Sequence, residues 1–421
     1  MEHIENILPV KTKKGEKSDS RNKPSNKKWA VLSISSIPLV MTLGNSMLIP
    51  VLTIMERQLG ITAFQASMII TVYSVVAIFF IPIAGFLSDH IGRKKVIIPS
   101  LIITAIGGFI SGWAGWKMEN PYMVILMGRV LQGIGSAGAF PIVLPLIGDM
   151  FKSDEEVSSS LGLIETSNTL GKVLSPILGA FLAGFFWYLP FLSIPVFCFI
   201  SILLMFFLVK TPNKREEPLP FHKFLQSIKE IFKHNWKWLF AVFLIGIILM
   251  FVLFSVLFYL SDVLENKYNI KNVKKGLLLA IPLGGLCLSS YMTGKLIKEN
   301  KVLMKWLTFG GILILASSIV FLSFSKTMWF MILLFVLGGI GIGVGLPCLD
   351  AFITSGIEKE QRGTVSSVYS SMRFVGVAAG PPAMAVMMKG ADHLIFYILA
   401  GLSLLAALAT LKAIKPEKND A

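Results

Sequence analysis

Gly85-Phe86-Leu87-Ser88-Asp89-His90-Ile91-Gly92-Arg93-Lys94-Lys95 is a short charged break between two long apolar segments. Two glycines let the backbone turn tightly. Asp89 can accept hydrogen bonds from a helix N-terminus. Arg93, Lys94 and Lys95 mark the cytoplasmic edge of a membrane, where basic residues are retained. The stretch therefore predicts two membrane-spanning helices joined by a tight cytoplasmic connection.

Composition agrees with that prediction. Of 421 residues, 54% are hydrophobic and only 15% are charged, against about 25% charged in a soluble domain. The charges gather in short clusters between apolar runs of roughly 20 residues, the length that crosses a bilayer. The net charge is +15, but the basic residues alternate from loop to loop, which indicates membrane topology and not a nucleic-acid partner. Cys198, Cys287 and Cys348 lie in apolar runs and give neither a disulfide framework nor metal spacing. The histidines are dispersed, so neither a metal nor another cofactor is expected. Residues 1–28 are polar and Lys-rich, lack a signal-peptide pattern, and read as a disordered cytoplasmic tail.

Twelve apolar spans are predicted, at 29–55, 63–87, 96–116, 122–150, 158–185, 187–209, 238–261, 274–297, 302–325, 328–353, 363–388 and 393–411. The fold class is an all-α membrane protein of two pseudo-symmetric six-helix bundles, 29–209 and 238–413. Between them, 210–237 forms a cytoplasmic linker, and 414–421 is a second cytoplasmic tail. Within the linker, Phe221, Phe224, Leu225, Ile228, Ile231 and Phe232 share one helical face, while Lys223, Lys229, Lys233 and Lys237 lie mostly elsewhere. That pattern predicts an amphipathic helix on the membrane surface. The excess of Lys and Arg on one side places both termini in the cytoplasm. The halves also repeat. Gly133-Ile-Gly-Ser-Ala-Gly138 in span 4 echoes Gly339-Ile-Gly-Ile-Gly-Val-Gly345 in span 10, and the Gly171-to-Pro176 segment of span 5 echoes Gly376 to Pro381 in span 11. Related halves with a site at their interface are a transporter signature.

The run Gly133-x-Gly135-x-x-Gly138 fits the dinucleotide-binding expression, but it lies inside an apolar helix with no preceding strand, so helix packing explains it better. Five charged residues fall within the spans: Arg129, Glu165, Lys172, Asp350 and Arg373. Each costs roughly 2.5–3.5 kcal/mol near a helix centre, so each should face a cavity or a partner. Glu165 and Lys172 are two turns apart on one face, about 10 Å in rise, and can line one wall. Glu165 is the first candidate for a carboxyl that takes up and releases a proton; Asp350 is the second. Lys172 and Arg373, with Asn45 and Gln132, are the candidates to line a substrate cavity. Asp149 and Arg93 are expected to pair across the inner face and lock the two halves, with Asp89 near the start of span 11. Gly171, Pro176 and Gly179 in span 5, with Pro381 in span 11, are expected to act as a pivot that packs against the other half.

Together these residues resemble the major facilitator superfamily, and within it the twelve-span drug:proton antiporter branch, over residues 29–411. The 85–95 stretch matches the family's loop motif. Arg129-x-x-Gln132-Gly133-x-Gly135 matches its span-4 motif, whose arginine is linked to proton transfer, which adds Arg129 to the proton-coupling candidates. The Gly171-to-Gly179 segment matches the span-5 antiporter motif, with Ser175 in place of the usual glycine; Thr53 stands where a second span-1 proline is common, and Asn45 where many multidrug members carry an acid. The resemblance implies a monomeric, multi-pass transporter of the bacterial plasma membrane. It would export hydrophobic or amphiphilic small molecules by alternating access and draw energy from the proton gradient. Three intramembrane bases against two acids suit an anionic, zwitterionic or neutral compound. The alternative is a dedicated exporter or flippase of one anionic metabolite or lipid-linked compound, with a solute:proton symporter behind it. The arrangements an enzyme would need are missing from the spans.

Overall fold

The computed structural model describes the backbone of residues 24–151, 153–210, 221–297, 300–324, 327–357, 359–390 and 392–414. Of the expected disordered tail at 1–28, residues 1–23 lie outside the described residues, whereas 24–28 are corrected to the first turn of a helix. The linker residues 211–220, the tail from 415 and the side chains expected to make the amphipathic face at 221–232 also lie outside the described residues.

Span 1 is broken into α1 (Pro24–Ser46), a short 3-10 turn (Ile49–Val51) and α2 (Leu52–Leu59). Pro50 stands in the first residues of the turn, where its missing N–H costs the least because the first N–H groups of a helix have no ladder partner. Span 2 is α3 (Ala63–Ile91) and span 3 is α4 (Arg93–Lys117). Span 4 is interrupted in the same way near Pro141, giving α5 (Tyr122–Ala139) and α6 (Val143–Met150). Neither interruption is visible in the apolar pattern alone. Spans 5 and 6 are α7 (Asp154–Ala183) and α8 (Leu189–Leu208). The second half comprises α9 (Phe221–Asn266), α10 (Asn272–Ile297), α11 (Lys301–Leu322), α12 (Met328–Gly356), α13 (Lys359–Met387) and α14 (Asp392–Ala413).

The expected twelve rods are therefore present. Among the described residues, ten spans are long and apolar enough to cross a membrane by composition. The other two, α7 and α13, are equally long but richer in serine, threonine and charge, including Glu165, Lys172 and Arg373. The connection between α3 and α4 has collapsed to Gly92 alone, at φ +102°, a conformation that only glycine adopts without strain.

Within each half the same helix pairs touch. α4 meets α5, and α11 meets α12, at backbone distance: a methyl on Gly107 would strike the Gly128 carbonyl, and one on Gly311 the Gly341 carbonyl. α7 packs on α1, and α13 on α9. Between halves, α3 lies along α13 and α7 along α10. The Thr71 hydroxyl donates to the Ala378 carbonyl at 2.7 Å across the first seam.

This geometry corrects the expected pivot. Gly171 and Gly179 do not face the other half. They let α7 press on Thr42 and Met47 of span 1 in their own half, as Gly376 lets α13 press on α9. Pro176 does reach the other half, through its carbonyl against Gly276 of α10, so the glycine of that contact is on α10. Pro381 lies in α13 beside Gly380, which packs on Phe251 and Ser255 of α9.

Candidate functional site

Four groups of ionisable residues stand out in the bundle. The first is enclosed in the N-terminal half. Arg129 is fully buried and donates to the carbonyls of Ile69 (2.7 Å) and Gly44 (3.2 Å), to Asn45 Oδ1 (2.8 Å) and to Gln132 Oε1. Its guanidinium lies 4.4 Å from the ring centre of Tyr73, whose hydroxyl is 2.5 Å from Ser136. The break in span 1 explains this arrangement. α1 ends at Ser46, so the Gly44 carbonyl has lost its helical donor, and the arginine replaces it. Asn45 and Gln132 thus each give a side-chain oxygen to Arg129, and neither borders the cavity beside Lys172. The acceptors bonded to Arg129 are all neutral.

The second group lies between the halves. Lys172 on α7, at 9% exposure, borders a narrow cavity whose walls come from span 1 (Ser46, Ile49), α7 (Pro176), α9 (Leu253, Phe254, Leu257) and α10 (Leu279, Leu283). Its Nζ is buried and makes no hydrogen bond. Glu165, one of the expected partners on the same wall, accepts instead from Asn168 Nδ2 at 3.2 and 3.3 Å, and Asn168 in turn accepts from Thr42 at 2.7 Å. Asp350 on α12 and Arg373 on α13 form an ion pair of 3.2 Å. Arg373 also lies 5.6 Å from the ring centre of Tyr369. Lys172 interacts electrostatically with Glu165, Asp350 and Arg373. The structure thus brings together four of the five intramembrane charges and leaves Arg129 apart from them.

The third group is at the end that carries the basic loops. Arg93 bonds Asp149 at 3.1 Å and also pairs with Asp89. All three belong to the N-terminal half, so the expected lock between halves is corrected: the Arg93–Asp149 pair exists, but it ties α4 to α6. Among the described residues, Gly85 of this stretch meets the other half, against Ser367 of α13. The side chains at the start of α13, expected beside Asp89, lie outside the described residues. Asp149 is 44% exposed, and exposed pairs contribute about 1 kcal/mol or less. Asp149→Asn should accordingly leave the melting temperature of the purified protein nearly unchanged; a drop of many degrees would restore a locking role.

The fourth group, at the opposite end, was not anticipated from sequence. Glu265 of α9, 4% exposed, pairs with Lys275 of α10 at 2.6 Å and with Arg57 of α2, and accepts from the Thr53 hydroxyl. Lys275, 1% exposed, also donates to Thr53 Oγ1 (2.6 Å) and to the Pro50 carbonyl (2.9 Å). The Ser261 hydroxyl donates to the Ile49 carbonyl at 3.1 Å. The expected spans ended at 55 and 261 and began again at 274, which left Arg57 and Glu265 in loops and Lys275 at the very start of a span. The available signal was the absence of any glycine or proline from Ser261 to Asn266, which lets α9 continue.

Comparison with known proteins agrees with this architecture. The model of the Major Facilitator Superfamily matches residues 34–381 and 305–421. The chain is 54% identical over 391 residues to the bacillibactin exporter of Bacillus subtilis, covering 93% of this chain and 97% of that one. It is 23% identical to the quinolone resistance protein NorA of Staphylococcus aureus, covering 80% and 84%. Among solved structures, the human organic anion transporter MFSD10 superposes with a TM-score of 0.72 at 18% identity, covering 92% of this chain and 100% of that one. A bacterial homologue of the lysosomal transporter Spinster, in an inward-facing and occupied conformation, gives 0.72 at 14% identity, covering 93% and 97%. With two matching six-helix halves, ionisable groups buried at their seam and a family model spanning the chain, this protein is a multi-pass membrane transporter of the major facilitator superfamily.

Proposed function

We propose that this chain exports one anionic metabolite by alternating access, and that bacillibactin is the first compound to test. The observation that carries this reading is the Lys172 ammonium, buried at an apolar wall between the halves without a hydrogen-bond partner. A buried cation lacking a partner is costly unless an incoming ligand supplies the anion. The relative at 54% identity is named an exporter of bacillibactin, whereas the relatives named for quinolone resistance share only 23%. A dedicated exporter accounts for both facts better than a multidrug pump, because Lys172 and Arg373 repel cationic drugs.

Proton coupling belongs to the same proposal. Glu165 and Asp350 are the carboxyls that can exchange protons at the level of Lys172, and the proton gradient supplies the energy. Residues 29–209 and 238–413 act as the moving halves and 210–237 as their linker. The chain works as a monomer in the bacterial plasma membrane, with the basic loops and both termini in the cytoplasm.

Expression of the chain in cells that make bacillibactin but lack their own exporter tests the proposal. Bacillibactin should appear in the medium and remain inside when the proton gradient is collapsed. Ethidium, a cationic comparator, should not be extruded. Extrusion of ethidium with retention of bacillibactin would reverse the assignment and restore the multidrug reading.

A further inference from the structure

Among the described residues, the ion pairs at the basic end all lie within the N-terminal half, and the pair that crosses between halves, Arg57–Glu265, lies at the opposite end. Besides the Ser261–Ile49 bond, the side-chain bonds of the described residues that cross with it converge on two side chains of the C-terminal half. Glu265 receives Arg57 and the Thr53 hydroxyl, and Lys275 donates to Thr53 and to the Pro50 carbonyl. Parting the halves at this end removes each of these bonds, while Glu265 and Lys275 keep one another because both belong to the C-terminal half.

The charges in this group do not balance. Span 1 contributes Glu56 and Arg57, α9 contributes Asp262 and Glu265, and α10 contributes Lys275. α7 meets α10 here through Pro176 and Ala180, which carry no charge. Lys271 and Lys274 are exposed to the surroundings. Three carboxyls thus face two buried or half-buried cations. Asp262 accepts from Asn266 at 2.7 Å, whereas Glu56 Oε1 is buried and has no donor. The unpartnered oxygen belongs to Glu56, where a proton would favour the joined form. Glu265 is engaged by two cations and a hydroxyl and responds in the opposite sense, so Glu56→Gln separates the two groups.

We propose that the carboxyl of Glu265, held between Arg57 and Lys275, binds a proton from the medium at this end and thereby releases the two halves from each other. The direction follows from the contacts. With the halves joined, Glu265 has two cations and a hydroxyl stabilising its charge. With the halves parted, Arg57 and Thr53 are gone and only Lys275 remains. The carboxyl binds a proton more tightly in the parted form, so by linkage acid favours parting. Arg57 is already half exposed and passes into water when it is released. The inference rests on the alternating-access reading above and is independent of the substrate's identity.

The experiment uses the full chain in proteoliposomes, with the three native cysteines replaced and spin labels at Gln58→Cys and Lys271→Cys. Both positions are exposed, and they flank the group from opposite halves. Lowering the pH from about 8 to about 5 should lengthen the distance between labels. The ratio of parted to joined molecules should change by at most about tenfold per pH unit, the limit for one proton. Glu265→Gln should show the long distance at both pH values. Arg57→Gln, at a half-exposed position that should tolerate the change, should do the same. A distance that ignores pH in the unsubstituted protein, or an Arg57→Gln protein that keeps its full pH response, overturns the proposal. Failure to export bacillibactin alongside an intact pH response would remove the substrate assignment and leave this site standing.

Discussion

Arg129→Ala is expected to destabilise the purified protein by on the order of 4 kcal/mol, and to abolish transport as a consequence. The Gly44 carbonyl, Asn45 Oδ1 and Gln132 Oε1 would lose their donor inside an apolar half, at about 1–3 kcal/mol each if left unsatisfied. The Ile69 carbonyl lies within α3 and retains its helical bond, so it adds little. The vacated volume adds a cavity term beside Tyr73. Arg129→Lys keeps the charge but replaces a planar fork of donors with a single point, so it should recover only part of the loss. Thermal unfolding in detergent, read beside transport, checks both. A purified Arg129→Ala protein that melts with the parent yet fails to transport would show that the arginine acts in proton transfer, the role implied by the family resemblance, and not as the donor that holds the broken span 1.

The interruption of span 1 also shows where the sequence stops being informative. The twelve rods, their pairing into halves and most of the charges buried in them follow from run lengths, glycine spacing and isolated charges, because these are local or periodic properties. Pro50 and Pro141 were visible, but whether proline bends or breaks a helix depends on what replaces its missing hydrogen bond. At span 1 the break also frees the Gly44 carbonyl, and the donor that meets it is Arg129, eighty-five residues away. The same limit hid the partners of Asn45 and Gln132. It also turned Asp149 into a contact within one half, since the two sides of a pair can be named from sequence more easily than the seam they cross. Glu265 and Lys275 were missed for another reason. Charged residues at a predicted span end look solvated, and only the packing of α2 against α9 and α10 closes over them.

Lys172→Met should act in the opposite sense to Arg129→Ala on stability while resembling it in transport. Arg129 has its donors engaged; Lys172 has none of its own engaged. Removing a buried cation that lacks a hydrogen-bond partner and substituting an unbranched apolar side chain of similar length relieves desolvation without creating a void. The cavity wall is already apolar, with Leu253, Phe254, Leu257 and Leu279 around it, so methionine fits its surroundings. The melting temperature of the purified protein should therefore rise. Bacillibactin binding should weaken, because a hydrogen bond to a charged group contributes about 1.5–3 kcal/mol, or roughly 10- to 150-fold in affinity. Opposite movements of stability and binding distinguish a ligand-receiving cation from a structural one. A structural Lys172, held by the nearby Glu165 and Asp350 charges, would lower both when replaced or leave binding untouched. Lys172→Met protein that melts lower than the parent and still exports bacillibactin at the parent rate would place the anion elsewhere, and Arg373, paired with Asp350 within the C-terminal half, would be the next cation to replace.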